Sequence, residues 1–132
     1  MSDATAPTIM IVGDDEDFQY LMRRYVTESG CRALVGQRTA ESLVMVGQEK
    51  PAVVFLEIGP PGMAGRDTLR MLKQDDATRD IPVIVCFWLE EEAQALSEDV
   101  ASYLQKPILY RDVLAALADV GVTAAPKSLD NG

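Results

Sequence analysis

A chain of 132 residues has room for one domain with one respectable core and too little for two, so a single site or surface must carry the function. An apolar fraction of 48% against 25% charged residues is the balance of a globular protein and unlike that of a disordered or fibrous one. The 21 acidic residues outnumber 12 basic ones for a net charge of −9, a field that repels phosphate backbones and anionic lipid, so neither nucleic acid nor membrane is expected as a partner.

There is no histidine, which removes the commonest zinc ligand, the commonest general base and any phosphohistidine chemistry on this chain. Cys31 and Cys86 have no CxxC or metal-type spacing and read as two reduced, partly buried thiols. Residues 1–7 carry no basic residue and no long apolar core, and read as a flexible lead-in. No stretch reaches the roughly 18 apolar residues of a membrane span. A cytoplasmic protein is expected.

The elements alternate. Thr8 to Val12 is a continuous apolar run suited to a strand buried on both faces. Phe18, Leu21, Met22, Tyr25 and Val26 then follow the spacing of an amphipathic helix, which Gly30 ends. Ala33 to Val35 make a short second strand, and Thr39 is placed to cap a helix carrying Leu43 and Val46 that stops at Lys50-Pro51. Val53 to Ile58 is the third strand, and Gly59-Pro60-Pro61-Gly62 a loop at its C-terminal end. Leu69 and Leu72 mark the third helix. Ile81 to Cys86 reads as the fourth strand and Glu90 to Val100 as a fourth helix with Ala93, Leu96 and Val100 inward. Ser102 to Leu104 is strand five, and Val113, Leu114 and Leu117 mark the last helix before a polar tail, which leaves 8–122 as the domain and 123–132 as the tail. Strand and helix alternating five times give a three-layer, doubly wound α/β fold with a five-stranded parallel sheet.

In such a sheet, groups at the C-terminal ends of the strands converge on a crevice, so the site belongs on that rim. Its residues are Gly13-Asp14-Asp15, Glu57, Phe87-Trp88 and Lys106-Pro107. Those residues carry a resemblance to the bacterial response-regulator receiver family, over roughly Thr8 to Val120. The stretches that carry it are Ile11 to Phe18, Pro51 to Gly65, Ala77 to Val85 and Tyr103 to Pro107, in order and with the family's spacing. The resemblance implies the flavodoxin-like, CheY-like sandwich with strand order 2-1-3-4-5. It also implies a phosphoryl group taken from a histidine kinase onto an aspartate ending strand three, Mg²⁺ held by acids after strand one, and phosphoryl oxygens bound by a hydroxyl residue after strand four and the lysine after strand five. Positioned cations neutralise the spreading negative charge of such a transfer.

This chain departs from that pattern. Glu57 stands at the acceptor position, and its extra methylene moves the carboxylate about 1.5 Å further out, away from geometry set for the shorter acid. It reads as a fixed anion paired with Lys106, as a residual acceptor, or as a structural rim carboxylate. Gly13 replaces the first acid. Asp14, Asp15 and Glu57 remain as ligands for at most a weakly bound Mg²⁺, while Asp14 and Asp15 read equally as helix N-terminal acids complementing the dipole. Phe87 replaces the hydroxyl residue and Trp88 follows it, two rings that either obstruct a donor or, for Phe87 above all, pack into the core. Lys106 keeps the phosphate-binding position, Pro107 would follow a cis peptide, and Tyr103 matches the family's switch aromatic or is a half-buried strand tyrosine.

The expectation is a pseudo-receiver with a degenerate phosphorylation site, acting through protein contact with a histidine kinase or a downstream effector, with no cofactor required and no substrate turned over. Trp88, Tyr103 and Tyr110 mark its working surface, on helix four, strand five and helix five, where it can also form a homodimer. One alternative is a phosphorylatable regulator using Glu57 or a nearby Asp with weakly bound Mg²⁺. Another is a small-ligand flavodoxin-like module, although Asp14 to Asp17 has the wrong charge for a phosphate-binding loop.

Overall fold

The structure, a computed structural model, describes residues 6–59, 64–96 and 98–122. Pro60 to Gly62 of the expected loop, Met63, Ser97 and the expected 123–132 tail lie outside the described residues, as do residues 1–5 of the expected lead-in. The elements run β1 (Thr8–Val12), α1 (Glu16–Glu28), β2 (Arg32–Gly36), α2 (Ala40–Glu49), β3 (Val53–Glu57), α3 (Ala64–Gln74), β4 (Val83–Phe87), α4 (Glu90–Gln94), β5 (Ser102–Gln105) and α5 (Tyr110–Asp119). All strand pairs are parallel, in the order β2-β1-β3-β4-β5.

The period of two in a strand sorts the core into halves. Ile9 and Ile11 of β1, Phe55 of β3 and Ile84 of β4 face Phe18, Met22 and Val26 of α1 and Val113 and Leu117 of α5. Met10, Val12, Leu56 and Val85 face the other way, against Val46, Leu69 and Leu72 of α2 and α3. With both faces covered, β3 and β4 are buried at every residue, which is why they read as unbroken apolar runs. β5 is an edge strand with alternating exposure.

Element ends have local causes. Lys50 closes α2 at φ 49°, its amide bonded to the Val46 carbonyl, with Pro51 next. Thr39 takes the N-cap position of α2 but its side chain makes no capping hydrogen bond. The largest departure from the sequence reading is α4, which ends after five residues instead of reaching Val100. The Ala95 amide still bonds the Glu91 carbonyl, but the Leu96 amide turns in tightly to Ala93, and none of the described residues between there and β5 is helical. A nucleus this short sits below the length at which helix propagates on propensity alone. Leu96 and Val100 reach the core from irregular backbone instead. β4 also starts later than expected, at Val83, and Ile81 lies outside the sheet. Both cysteines are buried and unpaired. Among the described residues no helix is long and apolar enough to cross a membrane.

Candidate functional site

The register of the sheet assembles the site. Glu57 is the last residue of β3 and pairs with Cys86, while the Gly13 amide donates to the Gly36 carbonyl at 3.0 Å, one rung beyond the end of the β1–β2 ladder. The chains leaving β1 and β2 therefore run on side by side, and Asp14 emerges next to Arg38.

Glu57 is only 5% exposed, a burial that a carboxylate tolerates only with its acceptor capacity filled. Lys106 Nζ donates to its Oε2 at 2.6 Å, and the amides of Asp14 and Asp15 donate to its Oε1 at 3.0 and 3.3 Å. The longer acid has room to reach those amides because residue 13 is glycine. A Cβ there would stand 2.8 Å from Glu57 Oε1 and 2.8 Å from Phe18 Cδ2, closer than such atoms approach. The two departures from the family pattern are thus one arrangement, in which the glycine leaves the space that the Glu57 carboxylate, carried outward by its extra methylene, takes up.

Lys106 lies under two rings, with Nζ 4.8 Å from the Phe18 centroid and 5.7 Å from that of Trp88, so its charge is held by Glu57 and by cation–π attraction together. The Lys106-Pro107 peptide is cis, as the resemblance implied. Burial pushes the Cys86 thiol beside them up out of the usual thiol range, against the neighbouring Lys106 charge and with that of Glu57.

The two rings expected over the site part company. Phe87 is buried in the α2–α3 half of the core and meets Tyr103 edge-on at 6.2 Å, so it does not stand in a donor's path. Trp88 is 54% exposed and covers Lys106 from outside. Its amide donates to Glu92 Oε1 at 3.3 Å and its carbonyl accepts from Gln105 Nε2 at 3.0 Å, contacts that hold the turn between β4 and α4. Tyr103 is exposed on the edge strand. Tyr110 departs from expectation, since its ring lies 5.7 Å from that of Tyr25 on α1 and its buried hydroxyl has no hydrogen-bond partner among the described residues. It belongs to the α1–α5 contact, because the first turn of α5 packs back toward α1.

Asp15 caps α1, its side chain accepting from the Asp17 amide at 3.1 Å. Asp14 has a partner that the sequence reading missed. The Arg38 amide donates to its Oδ1 at 2.9 Å, Arg38 Nε to its Oδ2 at 3.1 Å, and Nη2 stands 3.0 Å from Oδ2 as an ion pair. Partial desolvation acts to raise the Asp14 carboxyl, but the amide bond, the guanidinium bond and the charge of Arg38 together hold it below the ordinary aspartate value. The signal available in the sequence was a lone cation two residues beyond the end of strand two, on the same rim as the acids.

A crevice of about 160 Å³ beside Lys106, walled by Phe18, Leu21, Trp88 and Ile108, is well below the roughly 300 Å³ at which small-molecule pockets begin.

The sequence profile of the response regulator receiver domain matches residues 9–118. Protein PilH of Pseudomonas aeruginosa is 29% identical over 117 residues, covering 83% of this chain and 97% of that protein. The phosphate regulon transcriptional regulatory protein PhoB of the same organism is 29% identical over 116 residues, covering 86% of this chain and 51% of PhoB, so the chain spans about half the length of that regulator. Among solved structures, a sensor protein from Polaromonas sp. JS666 superposes with a TM-score of 0.78 at 24% identity, covering 86% of this chain and 94% of that one. A CheY-like response regulator receiver domain protein from Methanospirillum hungatei JF-1 gives 0.75 at 19%, covering 87% and 93%. At those identities the likeness to the two structures is one of fold. The profile spans most of the sequence and the sheet order agrees with it: the chain belongs to the response regulator receiver domain family of two-component signalling.

Proposed function

We propose that this receiver is a pseudo-receiver, which signals by protein contact and does not depend on phosphorylation. The observation that carries the reading is the state of Glu57, whose two carboxylate oxygens are engaged by Lys106 and two main-chain amides in a nearly closed pocket. A phosphoryl acceptor must present a free oxygen in line with the donor phosphorus. Here that oxygen would first have to abandon a charge-assisted bond. The hydroxyl that would hold a phosphoryl oxygen is absent as well, Phe87 standing in its place inside the core. Glu57 carries one negative charge, against about −1.5 to −2 and three acceptor oxygens for a phosphoryl group, so the arrangement is a fixed state and not a copy of a phosphorylated one.

The working surface in this reading is the α4–β5–α5 face. Trp88, Leu89, Tyr103 and Leu109 are exposed along it, at 54, 59, 44 and 45%, beside the unpaired edge of β5. Aromatic anchors of this kind concentrate binding energy, and Glu90, Glu91 and Glu92 next to them select a partner with a basic rim. That partner is a histidine kinase or downstream effector in the cytoplasm, or a second copy of the chain.

The test is intact-mass analysis after incubation with Mg²⁺ and a small acyl-phosphate donor, alongside association measurements on Trp88→Ala and Tyr103→Ala. No phosphoryl mass is expected, with binding weakened by either substitution and indifferent to the donor. Stoichiometric labelling of Glu57 or a neighbouring Asp would refute phosphorylation independence, and unchanged association in both folded variants would move the interface elsewhere.

A further inference from the structure

We infer that the Arg38 guanidinium is the resident cation of the acidic pocket and closes it to Mg²⁺. The inference deepens the reading above by naming what occupies the metal's place. It starts from burial: the Arg38 side chain is 0% exposed, a situation that arginine almost never accepts unless paired.

What Arg38 is paired with are hard oxygens, the ligand type that Mg²⁺ prefers. Besides both oxygens of Asp14, Nη1 donates to the Gly59 carbonyl at 3.0 Å and to the Glu57 carbonyl at 3.4 Å. One carboxylate and two main-chain carbonyls from two different strand ends therefore converge on one planar cation. The planar fork of arginine suits that task, and it stays charged at any pH the protein meets.

The remaining carboxylates do not complete a metal site inside the pocket. Glu57 is consumed by Lys106 and two amides, and Asp15 lies exposed on the first turn of α1, where its Oδ1 accepts from the Asp17 amide. Charge makes the same point, because Asp14 and Glu57, the two carboxylates turned into the pocket, are each already matched by one cation, Arg38 and Lys106. A divalent ion would bring two more positive charges beside Arg38 and Lys106 and would have to sit about 2.0–2.1 Å from oxygens that the guanidinium covers. The donor set is right for Mg²⁺ and the cation already in it is not.

The experiment is a titration with Mn²⁺ as a spectroscopic stand-in for Mg²⁺, read by electron paramagnetic resonance of the free ion and by quenching of Trp88, the single tryptophan of the chain, near the pocket. Wild type should show no saturable site in the low-millimolar range, and its Arg38 Nε–H resonance should exchange slowly and stay unmoved by excess Mg²⁺. Arg38→Ala should bind Mn²⁺ at least about tenfold tighter and quench Trp88 on doing so. Arg38→Gln, which keeps polar contacts with Asp14 and removes the charge, should shift the same way if the alanine variant does not fold. Saturable binding by wild type, a shift of the Arg38 resonance with Mg²⁺, or a folded variant that binds no better than wild type would each overturn the inference. The phosphoryl-mass result stands apart from all three, so the two readings fail separately.

Discussion

Replacing Lys106 by methionine should destabilise the protein by about 3 kcal/mol. The contact is 2.6 Å long between side chains that are 8 and 6% exposed, so at an effective dielectric of ~20 the gross attraction is about 6 kcal/mol. Most of that offsets the desolvation of the two charges, and stripping one partner from a buried pair typically costs ~3–5 kcal/mol. The lower end applies here because the amides of Asp14 and Asp15 still hold Glu57. Glu57→Gln should cost somewhat less, about 2 kcal/mol, since the Phe18 and Trp88 rings remain around the orphaned ammonium. With both changes no charge is left unpaired, and the double variant should fall short of the sum by about 2 kcal/mol or more. Urea unfolding, followed by far-ultraviolet circular dichroism, reads this as a fall in midpoint of roughly 1–2 M for Lys106→Met at unchanged slope. A coupling energy below about 0.5 kcal/mol would mean that water screens the pair, and the description of Glu57 as a closed anion would be wrong.

Gly13→Ala should cost about 1–3 kcal/mol of stability through its collision with Glu57 Oε1 and Phe18, and Glu57→Asp in the same chain should return part of it by withdrawing the carboxylate; thermal melts of the single and double variants decide. A melt of Gly13→Ala at the wild-type temperature would show that the loop moves aside freely. Asp14, its carboxyl held low in the folded state, contributes stability that is complete above the ordinary aspartate value of about 3.9 and is lost as pH falls through the lowered one. Urea midpoints measured into the acid range should therefore drop more steeply for wild type than for Asp14→Asn, and equal slopes would refute the role of Arg38 in holding that charge.

Much of the fold was legible because its signals are local and redundant. β3 and β4, buried on both faces, could only be continuous apolar runs, and Lys50-Pro51 could only end a helix. The short α4 was not legible, since Ala93, Leu96 and Val100 keep helical spacing and do pack inward, though the last two from irregular backbone. Periodicity records which residues are buried and not the route the chain takes between them. At the site, strand ends alone put Glu57 and Lys106 on one rim, and their pairing was one of three readings open for Glu57. Arg38 did not, because its role depends on the β1–β2 register, which brings two loops together from 24 positions apart. Phe87 and Trp88 are adjacent in sequence, yet one enters the core and the other the rim, since β4, covered on both faces, ends at Phe87 and Trp88 is the first residue of the turn beyond it.

The fit of Gly13 to Glu57 also bears on how this pocket could change. An aspartate at position 13 would have to displace the carboxylate that already fills the space, and a shorter acid at position 57 would draw back from the Asp14 and Asp15 amides while Arg38 still held Asp14. Either step taken alone passes through a pocket worse packed or worse satisfied than the one at either end. A walk by single substitutions toward a three-carboxylate pocket therefore starts uphill in both directions, and the site works as a ratchet: small in extent, held by ordinary contacts, and reversed only at a cost in stability on the first step.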